Sequence, residues 1–287
     1  MAKRISIGSW AFVSDQGRGE SEPIADLLAR LRELGFDGVE LGAHDLSTVD
    51  DRDRLKAALA GQGLAISAFV PDLRTLHLLD TRDGAGYVRG FAEACRFAVD
   101  LGIGLVCVDT VQSPAVHRED DYRDLLGRLA ATWERCIGQA GDLGLRVGWR
   151  FDPDRAFNKP ADIQRVLERL QQDHFGVVYD TGRAELVAVV GRGQEGKPET
   201  LAGGQLELIA RLSGRIAHVQ LSDSDGSRAG LPLGRGRVDL PLLVPALAKE
   251  QTPQGWWTLA LEHGPDVREH AAESKAALER VLDSQGR

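Results

Sequence analysis

The feature that most constrains this chain is one pattern repeated along its whole length. A short apolar or β-branched run is followed each time by a helical periodicity. The runs are Arg4–Gly8, Gly38–Leu41, Leu64–Val70, Leu105–Asp109, Leu145–Phe151, Phe175–Asp180, Ile216–Leu221 and Trp257–Glu262. Most are apolar almost throughout, as strands buried on both faces of a parallel sheet are. Their spacing of roughly 30 to 40 residues is that of a strand, a helix and a modest loop.

The intervening segments place apolar residues at helical spacing. Ile24, Leu27, Leu28, Leu31 and Leu34 form one stripe, Phe91, Ala94, Cys95, Ala98, Val99 and Leu101 a second, and Tyr122, Leu125, Leu126, Leu129, Trp133 and Ile137 a third. Each ends on a Leu-Gly pair (Gly35, Gly102, Gly144) that stops the helix and feeds the next strand. Pro160 with Asp162 opens a further helix, and a last one runs from Val267 to Leu282. Eight such units without a break predict one α/β domain over residues 1–287, a single (β/α)8 TIM barrel. A doubly wound open sheet is the other arrangement of such units, but no GxGxxG opens the first helix. The polar, Gly-rich stretch Val190–Gly204 is expected to be a long loop over the barrel mouth.

Composition excludes several classes. With 35 Lys+Arg against 43 Asp+Glu the net charge is −8, which disfavours a phosphate-gripping nucleic-acid binder. No apolar run approaches the roughly 20 residues that span a bilayer, so no membrane partner is expected. The opening MAKRISIGSW turns polar before a signal-like apolar region develops. Cys95, Cys107 and Cys136 form no CxxC pair and sit in apolar surroundings, as reduced cysteines of a cytoplasmic protein do.

In such barrels the reacting groups sit at the C-terminal strand ends and in the loops that follow. Those positions hold Trp10, Glu40 with His44, Asp72, Asp109, Arg150 with Asp152, Asp180 with Arg183, Gln220 with Asp223, and Glu262 with His263. Each has a plainer reading. Asp180 is also a cap on the following loop, His218 a satisfied core histidine, Trp10 barrel packing and Lys159 a solvated helix start. Arg235 and Arg237 in LGRGRVD read either as oxyanion clamps or as ordinary surface cations.

The segments FDGVELG, WRFDPDRAFNKP, VVYDTGRA, HVQLSDSDG, LGRGRVDL and WTLALEHG occur in an order and spacing that resembles the xylose-isomerase-like barrels. That family comprises sugar isomerases and epimerases, sugar-phosphate isomerases and dehydratases related to endonuclease IV. The resemblance implies a divalent ion (Mn²⁺, Mg²⁺ or Zn²⁺) held by Glu, Asp, His and Glu at the ends of strands five to eight. It also implies proton transfer through a cis-enediol. In this sequence the four positions fall on Arg150, Asp180, Gln220 and Glu262, and the histidine that follows the strand-six Asp by three falls on Arg183.

Arginine donates and cannot ligate a metal. The expectation is therefore a barrel without the family's usual ion. Arg150 takes the cation's place by pairing with Asp180 and Glu262, while a relocated ion would need Asp152, Asp180, His218 or Glu262. In the first functional reading Glu262, Asp180 and Arg150 are catalytic on a sugar-like substrate, with isomerase, epimerase or lyase outcomes open. Arg183, Gln220, His218, Glu40, Trp10 and Asp152 then bind it. In the second, the chain is a non-catalytic sugar-binding or partner-subunit relative. The family's DNA-cutting branch needs a His-rich metal cluster and a basic face, and neither is in the sequence. The family also suggests a homodimer or homotetramer.

Overall fold

The computed structural model describes residues 4–12, 23–43, 52–73, 76, 78, 84–110, 119–250 and 255–284. Its centre is a closed barrel whose strands neighbour one another in sequence order, every pair parallel. The strands are β1 (Arg4–Gly8), β2 (Gly38–Gly42), β3 (Ala65–Val70), β4 (Leu105–Asp109), β5 (Arg146–Arg150), β6 (Phe175–Asp180), β7 (Ile216–Leu221) and β8 (Trp256–Leu259). The helices around it are α1 (Ile24–Glu33), α2 (Arg52–Gln62), α3 (Gly84–Asp100), α4 (Glu119–Asp142), α5 (Pro160–Arg169), α6 (Thr181–Ala184), α7 (Gly204–Arg211), α8 (Leu240–Glu250) and α9 (Val267–Ser284). Helix α6 runs on as a π-helical stretch over Glu185–Val190. Among the described residues no helix is long and apolar enough to cross a membrane.

The expected strands appear with small shifts, and the one that matters is β8. Its ladder stops at Leu259 rather than running to Glu262. The Ala260 amide still donates to Leu221 O at 2.9 Å, but the Glu262 amide donates to Gly230 O at 2.9 Å. The chain has by then left the barrel for the loop after β7. Glu262 is thus a loop residue three positions beyond the strand.

Alternation along each strand sorts the side chains into two shells. Outward residues of β5 and β6 form a run of aromatic contacts. Trp133 of α4 meets Trp149 and Phe175 at ring centroids 5.7 and 5.9 Å apart, Trp149 meets Phe151 at 6.4 Å, and Phe151 meets Tyr179 at 6.2 Å. With Trp149 and Phe151 locked outward, Arg150 between them points inward. By the same logic Tyr179 turns Asp180 inward and Val219 turns Gln220 inward.

The inner shell is divided. One part is apolar, built from Ala68, Leu105, Cys107, Val178 and Ala217. The other is polar and buried: Ser6, Ser67, Thr258, His218, Glu40 and Gln220. Its hydroxyls bond in series. Ser67 Oγ donates to Val39 O (3.3 Å), Ser6 Oγ donates to Ser67 Oγ (2.9 Å), and Thr258 Oγ1 lies 2.7 Å from Ser6 Oγ and 2.9 Å from His218 Nε2. A backbone carbonyl only accepts, so each hydroxyl proton is used toward Val39, and Thr258 Oγ1 is left to accept from His218 Nε2–H. The proton on His218 is thereby assigned to Nε2.

Candidate active site

At the C-terminal end of the barrel lies a cavity of about 320 Å³. Its wall includes Trp10, Asp72, Asp109, Arg150, Asp180, Arg183, Gln220, Gly230 and Glu262. Register explains the charged pair at its floor. Asp109 and Arg150 are Cα partners across β4 and β5, and Arg150 Nε lies 2.9 Å from Asp109 Oδ1. The two atoms meet outside hydrogen-bonding geometry, so the contact is electrostatic. Burial alone would favour loss of the Arg150 proton. The nearby carboxylates of Asp109 and Glu40 outweigh it and push the pKa up, so the guanidinium stays charged. Its carbon also stands 5.5 Å from the centre of the Trp10 ring. The pairing expected with Asp180 and Glu262 is thus replaced by one with Asp109, because the neighbouring strand offers a carboxylate at the same level.

Asp180 serves two ends. Its Oδ1 accepts from the amides of Gly182 (2.9 Å) and Arg183 (3.2 Å) and from Ser222 Oγ (2.7 Å), which caps α6. Its Oδ2 lies 3.7 Å from Arg183 Nε. Asp180 is therefore both the cap and part of the cavity wall. Arg183 Nη1 also donates to Asp152 Oδ2. Asp152 holds Arg183 from behind and is not itself in the wall.

Glu40 and His218 lie one layer deeper, beneath the cavity rather than in its wall. Glu40 is 0% exposed. Its Oε1 accepts from Gln220 Nε2 at 2.8 Å, its Oε2 lies 3.2 Å from His218 Nε2, and the Cys107 thiol donates to Oε1 at 3.8 Å. Burial raises the Glu40 pKa, but the bonds from His218 and Gln220 and the charges of His218 and Arg150 outweigh it, and the net shift is downward. A carboxylate depressed in the folded state contributes stability above its unfolded pKa of about 4.3, and loses it as pH falls through the folded value. Glu40→Gln is therefore expected to flatten the acid limb of a melting-temperature profile recorded below about pH 4.3. An acid limb identical to the wild type would show that Glu40 is not ionised in the fold.

Other singled-out residues face elsewhere. Asp223 is enclosed by backbone amides of its own loop. Arg235 pairs with Glu273 (2.9 Å) and Arg237 with Glu185 (3.0 Å), so neither clamps an oxyanion in the cavity. Lys159 Nζ donates to Lys197 O (3.1 Å), and His263 Nδ1 lies 3.1 Å from Ala11 O. His44 lies outside the described residues. The stretch 190–204 contributes nothing to the cavity wall. It is tied instead to the FNKP block, where Asn158 Nδ2 donates to Gly193 O (3.0 Å), and to Val187, where Gln194 Nε2 donates to the carbonyl (3.0 Å).

Two wall features escaped the sequence reading. Asp109 was visible as an acid ending β4, but its pairing with Arg150 needed the register. Gly230 carried no signal in sequence. It adopts φ +82°, and a Cβ there would lie 2.4 Å from Glu262 Cγ. Gly230→Ala is expected to lose about 1–3 kcal/mol to backbone strain and to push Glu262 from its place. Calorimetric melting together with turnover checks this, and a variant with wild-type values for both would refute it.

The implied metal is tested by its donors. Asp180 Oδ1 already accepts three bonds, and Arg150 is a cation that donates and cannot ligate. Among the described residues no three His, Cys, Asp or Glu side chains gather as a metal-binding group. The residues at these four positions do not fit the ion.

The sequence profile of the xylose isomerase-like TIM barrels matches residues 28–282. Similar solved structures include an L-ribulose 3-epimerase (TM-score 0.76, 19% identity, covering 99% of this chain and 95% of that one). A D-tagatose 3-epimerase-like protein has TM-score 0.74 and 17% identity over 98% of this chain and 97% of that one. An AP endonuclease of family 2 from Brucella melitensis has TM-score 0.70 and 15% identity over 94% and 97%. At such identities the likeness is one of fold. No curated protein matches the chain. With most of its length matched by the profile and the closed barrel in place, the chain belongs to the xylose isomerase-like TIM barrel family.

Proposed function

We propose that this protein is an isomerase or epimerase of a sugar or a sugar-like polyhydroxy carbonyl compound, acting by proton transfer at the barrel mouth. The observation that carries the reading is the open cavity, in whose wall an exposed carboxylate, Glu262, and a permanently charged guanidinium, Arg150, both stand. Epimerases among the similar folds support the substrate class.

Glu262 removes the proton from the carbon beside the substrate carbonyl, and the C–H electrons pass to the carbonyl oxygen as an enediolate. Arg150, anchored by Asp109, supplies the fixed positive charge that the oxyanion needs. Returning the proton to the neighbouring carbon, while that carbon's hydroxyl proton passes to the first oxygen, isomerises the sugar; epimerisation needs a second acid to protonate the opposite face, a task for which Asp180 of the wall is the candidate. Trp10, Arg183 and Gln220 position the hydroxylated chain, and Asp180 fixes Arg183. Arg150 takes over the electrostatic task of the family's ion. The three described cysteines are free and buried, which fits a reducing cytoplasm. The substrate is a small molecule, with no nucleic acid or membrane partner.

The test is solvent exchange. D-fructose, D-tagatose, D-psicose and L-ribulose are incubated with the protein in D₂O, with and without EDTA, and loss of the carbon-bound proton is followed by NMR. Exchange that EDTA leaves unchanged is expected. Exchange abolished by EDTA and restored by Mn²⁺ would return the chain to the family's metal chemistry. Saturable sugar binding without exchange would leave the non-catalytic sugar-binding reading, which the internal pairing of Arg150 with Asp109 and Arg183 with Asp152 favours.

A further inference from the structure

The polar side of the barrel interior decides which end of one amide meets the substrate. We propose that Gln220 is a specificity-determining acceptor, presenting its side-chain oxygen to a substrate hydroxyl, and that buried Glu40 is the positioning residue that enforces this polarity. The inference rests on the reading of the cavity as a sugar site.

A series of hydrogen bonds runs from the Val39 carbonyl toward the cavity. Val39 O can only accept, which orders Ser67, Ser6 and Thr258 as successive donors and places a proton on His218 Nε2. That N–H also faces Glu40 Oε2 at 3.2 Å, so this oxygen acts as an acceptor. The thiol of Cys107 stays protonated, because burial raises its pKa well above the ordinary value, and it donates to Oε1. Glu40 thus receives donors on both oxygens and stays ionised. An ionised carboxylate has nothing to donate, so the Gln220 atom at 2.8 Å must be the nitrogen. The amide oxygen is then the end left for the cavity, whose wall includes Gln220. Among the described residues nothing donates to that oxygen. Such a site rewards a hydroxyl that donates, and rejects a fluorine or a carbonyl at the same place. It therefore selects a polyol face rather than an oxidised or phosphorylated one at this point of the substrate.

Two readouts separate the inference from the reading beneath it. The first needs no ligand. In a ¹H–¹⁵N spectrum, with the Gln220 side-chain signal identified by its loss in Gln220→Met, one amide proton is expected to be displaced and slowly exchanging. In Glu40→Gln both signs should vanish. Random-coil shifts and fast exchange in the wild type would overturn the inference whether or not a sugar binds. The second readout titrates the tightest-binding of D-fructose, D-tagatose, D-psicose and D-sorbose, together with its singly deoxyfluorinated counterparts.

One fluorinated position is expected to cost the wild type roughly tenfold in affinity, and that penalty should fall to within about threefold in both Gln220→Met and Glu40→Gln. Relief in Glu40→Gln, where Gln220 is still present, is a result that a merely structural Glu40 would not give. A penalty unchanged in both variants would refute the assigned polarity. Failure of every ketohexose to bind the wild type would refute the sugar reading, leaving the amide polarity to be decided by the spectrum.

Discussion

Glu262→Gln is expected to lower the rate of solvent-deuterium exchange into the substrate by about 10²–10⁴-fold, the range of a lost general base. The folding free energy should change by no more than about 0.5 kcal/mol, as for an ordinary exposed position. The contrast follows from where the side chain stands. Glu262 lies past the end of β8 in the cavity wall and is solvent-exposed. Its place is set by its backbone, through the 2.9 Å bond to Gly230 O, and glutamine keeps that bond and the side chain's volume. What glutamine lacks is a lone pair basic enough to take a proton from carbon. Exchange within tenfold of the wild type would remove Glu262 from the proton path and turn attention to the other carboxylates of the wall, Asp72, Asp109 and Asp180.

The barrel was legible because its signal is redundant. Strands buried on both faces must be apolar at successive positions, and helices packed on them must carry a stripe, so each unit announces itself independently of the others. The site was legible only in part. Their places at the ends of β5, β6 and β7 singled out Arg150, Asp180 and Gln220, but sequence spacing could not say which acid Arg150 would meet. That is settled by the β4–β5 register, which sets Asp109 opposite it. The depth of Glu40 was equally hidden. Its position at the end of a short strand suggested the mouth, whereas the Cα pairing of Gly8 with Glu40 places it beneath, within reach of His218 and Gln220. The series of hydroxyls under it had no sequence signature, since Ser6, Ser67 and Thr258 are ordinary strand residues until closure of the barrel brings β1, β3 and β8 together.

The largest effect on stability is expected at a residue that sequence reasoning placed among the chemical candidates. Asp223 is 0% exposed, and its two oxygens are filled by four backbone donors. Oδ1 accepts from Ser224 N (2.8 Å) and Val238 N (3.0 Å), and Oδ2 from Gly234 N (3.0 Å) and Gly236 N (2.9 Å). The second glycine of GRG is needed for this approach, because a Cβ on Gly236 would lie 2.3 Å from Asp223 Oδ1. The two blocks SDSDG and LGRGRVD are therefore one folded unit closed around a carboxylate. Asp223→Ala leaves four amides in search of a partner, and is expected to cost about 3–5 kcal/mol and to lower the melting temperature by roughly 6–20 °C. Asp223→Asn should recover less than half of that, since its amide nitrogen would face donors. The consequence reaches the cavity through Ser222, whose Oγ donates to Asp180 and accepts from Gly230 N at 3.2 Å. Loosening this loop therefore disturbs the cap of α6 and the seat of Glu262 together. Faster tryptic cleavage after Arg235 and Arg237, alongside the lowered melting temperature, is the expected result. A variant that melts within about 2 °C of the wild type and resists trypsin equally would show that solvent replaces the cage at almost no cost.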